Sequence, residues 1–109
     1  MIINVRTALA ANGTDFPLRD SLFETMTEPC LIEVGIASDA NGVLATINSG
    51  PDTIIEESPV VLKTINVMPV YPDDFVHDEA LPQDKLSIKL RDTSGAARVV
   101  MTQVRITPL

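Results

Sequence analysis

Apolar and polar positions alternate along much of this chain, most cleanly between Lys85 and Ile106. Leu86, Ile88 and Leu90 share one side; Lys85, Ser87, Lys89 and Arg91 take the other. A period of two is what a half-buried strand requires. Asp92-Thr93-Ser94-Gly95 follows, in which Asp and Ser bond their own backbone and Gly accepts positive φ. A second arm rich in β-branched residues then puts Val100, Thr102, Val104 and Ile106 on one face. Two such arms around a turn predict an antiparallel hairpin over 85–107, pairing 90 with 100, 88 with 102 and 86 with 104. That register sets Lys85 against Arg105, an unfavourable like-charge pair unless a carboxylate comes between them.

The same period recurs upstream. Residues 2–9 suit a strand with Ile3, Val5 and Leu9 on one face, and 10–17 a loop around Asn12-Gly13. Residues 21–27 read as a short strand with Leu22 and Met26 inward, or as a helical turn opened by Asp20 or Ser21. Residues 31–38, 43–48 and 53–57 read as a three-strand meander, turning at Asn41-Gly42 and Gly50-Pro51. Residues 60–68 are a further extended piece. Pro69, Pro72 and Pro82 then bar a long helix from 69–84, a loop whose Val70, Tyr71, Phe75, Val76 and Leu81 suggest packing onto the sheet. The connections are too short for parallel crossovers. The pattern predicts one all-β domain over 1–109: an antiparallel β-sandwich or small jelly-roll-like domain of seven or eight strands.

Composition narrows this further. The chain is 45% hydrophobic yet holds only Phe16, Phe23, Phe75 and Tyr71 as aromatics, so the core must be aliphatic. The net charge of −7 argues against direct binding to nucleic acid. Charge is also lopsided. Residues 85–109 hold five basic residues against Asp92 alone, a net of +4, whereas residues 1–84 hold three against fourteen acidic ones, a net of −11. Lys89, Arg91, Arg98 and Arg105 therefore either pair with acidic neighbours within one subunit or form a contact surface for another subunit. The single Cys30 excludes an internal disulfide, and its apolar neighbours mark it as a buried small hydrophobe. There is neither a signal-peptide pattern at the start nor an apolar run long enough to span a membrane, which leads us to expect a soluble protein.

Candidate chemistry is thin. Asp73, Asp74, His77, Asp78 and Glu79 form the densest polar cluster and could hold a divalent cation, but their spacing lacks the alternation and central Gly of a calcium loop. A solvated acidic loop is the plainer reading. His77 has no Gly-x-Ser-x-Gly nucleophile to serve, adjacent Glu56 and Glu57 would face opposite sides of a strand, and no Gly-rich phosphate loop occurs. The residues therefore suggest neither an enzyme nor a cofactor. A soluble module binding carbohydrate or cation through 69–84 remains the alternative to a protein that acts by assembling.

Three segments carry a resemblance: Asn48-Ser49-Gly50-Pro51-Asp52 with Glu56-Glu57, Met68 to Phe75, and Leu86 to Ala97. The Arg91-Asp92-Thr93-Ser94-Gly95-Ala96-Ala97 turn, between a basic strand and a Val-rich strand ending in Arg105-Ile106-Thr107-Pro108, is its centre. In these the chain resembles small β-sandwich structural proteins of bacterial viruses. The resemblance implies a capsid, decoration or spike-base subunit, with copies of itself and other virion proteins as partners and no catalytic residues. The acidic charge then favours the outer surface of a virion over a genome-facing one.

Overall fold

Aliphatic residues at every second position give most of the long strands one apolar side, and the structure closes those sides on each other. The computed structural model describes residues 1–18 and 25–109. Its strands, in chain order, are β1 (Ile2–Leu9), β2 (Thr14–Asp15), β3 (Cys30–Ser38), β4 (Val43–Ser49), β5 (Asp52–Pro59), β6 (Val61–Leu62), β7 (Phe75–Ala80), β8 (Leu86–Asp92) and β9 (Arg98–Pro108). One sheet runs β1-β9-β3, with β6 and β7 sharing the far side of β3; the other runs β2-β8-β4-β5. Pairing is antiparallel except for the two-residue β3–β6 contact.

The two orders mirror each other. β1 and β2, β3 and β4, and β9 and β8 are chain neighbours, and each couple is split between the sheets. This is a jelly-roll-like wrap, an all-β sandwich of the class the alternation predicts. The core is aliphatic, with Ile32, Val34, Val100 and Val104 of one sheet and Ala45, Ile47, Leu86, Ile88 and Leu90 of the other all buried. No helix among the described residues is long and apolar enough to cross a membrane.

The predicted 85–107 hairpin is corrected. Leu86, Ile88, Leu90, Val100, Thr102 and Val104 are all buried, as their spacing requires. Yet β8 pairs with β4 and β2, whereas β9 pairs with β1 and β3. The two arms face each other across the core, about 10 Å apart as packed sheets are, instead of lying side by side. Alternation reports which side of a strand is buried and is silent on its neighbour. The anticipated Lys85–Arg105 clash vanishes with the register, because Arg105 lies between Ile2 and Glu33.

Other expectations shift for the same reason. β3 and β4 belong to different sheets, so only β4–β5 of the predicted meander is a hairpin. Residues 60–68 yield only β6 before turning, and β7 forms inside the predicted 69–84 loop. The first loop holds β2. The predicted strand at 21–27 lies largely outside the described residues; Thr25 bridges Lys85 and Met26 is buried. Cys30 is buried as expected, and burial, with Glu28 and Asp84 nearby, pushes its thiol up.

Three of the sheet-to-sheet crossings meet at one end of the sandwich, and Asp92 and Thr93 tie them together. One carboxylate oxygen accepts from the Asn12 amide at 2.8 Å and the Gly95 amide at 3.2 Å; the other accepts from the Ser94 amide at 3.1 Å and hydroxyl at 2.6 Å. The Asp92 amide in turn donates to Gly13 O at 2.9 Å. Thr93 donates from both its amide and its hydroxyl to Gly42 O, each at 2.7 Å. Gly42 adopts φ +108°, and a Cβ there would fall 2.5 Å from Ser94 Cβ, so this crossing admits glycine alone.

Candidate interaction surface

The four basic residues singled out in the sequence do not form one patch. Lys89 and Arg91 lie on the outer face of the β2-β8-β4-β5 sheet, because Leu86, Ile88 and Leu90 turn inward. Arg105 lies on the outer face of the opposite sheet, and Arg98 at the crossing end, where its Nε donates to Asn41 O at 3.3 Å. Arg91 and Arg105, like Arg98, already have partners within the chain. Arg91 makes a two-pronged ion pair with Glu57 at 3.1 and 2.8 Å. The Arg105 guanidinium stacks 3.8 Å from the Tyr71 ring centroid and donates to Gln103 at 3.0 Å.

The acidic cluster is likewise dispersed. Strand alternation in β7 turns Asp78 toward the core side and His77 and Glu79 outward, while Asp73 and Asp74 precede the strand. Asp74 serves its own loop: it accepts from the Val70 amide at 2.7 Å and pairs with Lys63 at 3.3 Å. The Val70 amide holds its carboxyl below the usual range, partial burial opposing and Lys63 assisting. Among the described residues no group of three or more His, Cys, Asp or Glu side chains is arranged to hold a metal ion.

Residues 63–74 form a strap across the outer face of the β1-β9-β3 sheet. The strap is fixed at Arg6, whose Nε donates to Asn66 at 2.8 Å, and at Tyr71, which meets Phe75 edge-on with ring centroids 5.2 Å apart. A hydrogen bond to Glu33 pushes the Tyr71 phenol up, the Arg105 charge acting against it. Gly35 makes room for this cluster, since a Cβ there would lie 2.6 Å from the Phe75 ring. A glycine inside a strand is a legible sign of such a close approach. Arg105 covers one face of Tyr71, which is otherwise exposed. The strap leaves Ile65, Val67 and Val70 exposed.

The sheet edges differ sharply. β5 is interrupted by two register shifts, carries Glu56, carries Glu57 at φ +43°, and ends on Pro59. β7 presents His77, Asp78 and Glu79, while β2 and β6 are two residues long. Charge, proline, bulges and shortness are the usual means of keeping an edge from pairing with another chain. β1 has only the first of them, in Arg6 alone. It runs eight residues in unbroken register against β9, carries Arg6 as its one charged side chain, and precedes every carboxylate in the chain. Of the two terminal strands, β9 is central and β1 is an edge.

No protein-family model, no curated protein and no solved structure matches the chain.

Proposed function

We propose that this chain is a structural protein of a bacterial-virus particle, a small capsid, decoration or spike-base subunit that works by self-assembly or by binding a capsid lattice. The observation that carries the reading is the unbroken eight-residue edge, guarded by a single charge, on a jelly-roll-like sandwich. An edge left open for pairing is a liability in a protein that works alone and an asset in one that assembles. Two further features support it. The turn at 91–97 resembles that of small virion β-sandwiches, and viral capsid domains are among the recurrent users of jelly-roll connectivity. A net charge of −7 suits an outward position, away from packaged nucleic acid.

Light scattering coupled to size exclusion, run from micromolar to millimolar protein, tests the reading together with electron microscopy of the concentrated fraction. Closed oligomers or regular arrays are expected. A chain that stays strictly monomeric, and does not bind particles purified from the cells that produce it, would overturn it.

A further inference from the structure

We propose that β1 is the strand through which two copies of this chain join, antiparallel about a two-fold axis at Val5, so that their β1-β9-β3 sheets become one. The inference rests on the self-assembly reading above and names its interface. It begins with backbone parity. Met1 and Ile106 exchange both of their backbone bonds, each 2.8 Å long, so they are a hydrogen-bonded pair. In an antiparallel ladder such pairs alternate with non-bonded ones. Ile3, Val5, Thr7 and Leu9 therefore bond β9, and the N–H and C=O groups of Ile2, Asn4, Arg6 and Ala8 point away from the sheet. Nothing among the described residues bonds them.

Parity also restricts the register. The outward residues must oppose outward residues of the second copy. With the axis at Val5, Ile2 opposes the partner's Ala8 and Asn4 the partner's Arg6, and all four residues on each strand are used. Each bonded pair contributes two hydrogen bonds, so the four pairs together make eight. Shifting the axis to Arg6 sets arginine against arginine and leaves Ile2 unpaired. Shifting it to Asn4 leaves Ala8 unpaired. The side chains agree with the central choice. Ile2 is 53% exposed and Ile65, 50% exposed, lines a surface hollow with Ala8. The two-fold brings the Ile2 of each copy onto the Ala8–Ile65 end of the other, covering apolar surface at both ends. Because β1 holds no carboxylate, two acidic chains meet here without facing acidic side chains along the strand.

Four variants in the full chain test the interface. Asn4→Pro removes an N–H that points outward, so the β9 ladder survives and the dimer is lost. Asn4→Arg, at an exposed side chain, sets like charges opposite each other twice and raises the dimer dissociation constant about tenfold. Val5→Cys places two thiols in a non-bonded pair at the axis, within disulfide range, and gives a covalent dimer on mild oxidation. Arg6→Cys has its counterpart out of reach and stays largely monomeric on a non-reducing gel. Cys30 is buried and does not compete. A wild type that assembles while Asn4→Arg and Val5→Cys change nothing would overturn this interface and leave self-assembly standing. A wild type that remains monomeric at all concentrations would overturn both.

Discussion

Asp92 accepts from three backbone amides and the Ser94 hydroxyl, in segments that cross between the sheets. Those bonds, Ser94's first and Asn12's next, hold its carboxyl down at about 2. A folded-state value below the unfolded one contributes stability at pH above about 3.8, and that contribution is lost as pH falls toward about 2. Asp92→Asn keeps the shape but turns an NH₂ toward these donors. We expect its melting temperature to fall by several degrees at pH 7. The gap to wild type should narrow as pH drops from 5 to 2, measured by thermal melts across that window. Thr102 is the opposite case. Fully buried between Val5 and Ile36, its hydroxyl has no partner among the described residues. An unpaired buried hydroxyl costs about 1–3 kcal/mol. Thr102→Val should therefore stabilise the fold by about 1–2 kcal/mol in urea unfolding; a loss instead would show that the hydroxyl is bonded in solution.

At the scale of elements, the sequence and the structure part company where alternation stops being informative. Every inward residue predicted for 86–104 is buried, because a side chain's face follows from its place in a period of two. The partner strand does not follow from it. Asp92-Thr93-Ser94-Gly95 is turn chemistry whether the chain doubles back within a sheet or steps across the core. What decides is Asp92 itself, which is buried and bonded to Asn12. That contact spans eighty residues, and local pattern cannot show it. The same limit separates β3 from β4. It also dispersed the proposed basic patch, since Lys89, Arg91 and Arg105 lie together only if β8 pairs with β9. The strap was legible in part: apolar residues in 69–84 do pin it to the sheet, through Tyr71 and Phe75. Gly35 permits that packing. Gly35→Ala should displace the Phe75 ring, cost about 1–3 kcal/mol as overpacking does, and raise hydrogen exchange across 63–74 more than in β8.

At the scale of the whole molecule, charge opposes association and the interface must overcome it. Two copies carrying −7 each repel, and that repulsion is long-ranged, so salt screens it. The β1–β1 contact is made of backbone hydrogen bonds and apolar side chains, which salt leaves nearly untouched. Raising ionic strength from about 0.05 M to about 0.5 M, over which the screening length shrinks severalfold, should therefore tighten the dimer. Sedimentation velocity at several concentrations would measure this. The competing placement gives the opposite sign. Contacts that set Lys89 and Arg91 on one face, or Arg98 or Arg105 elsewhere, against a neighbour's carboxylates would be screened by the same salt and weaken. They would also have to take Arg91 from Glu57 or Arg105 from Tyr71 and Gln103. Acidification is a poorer variable, because it lowers the repulsion and erodes the Asp92 anchor together. A dissociation constant that rises with salt would move the contact from β1 to the arginines. One that falls would leave the open edge as the place where copies meet.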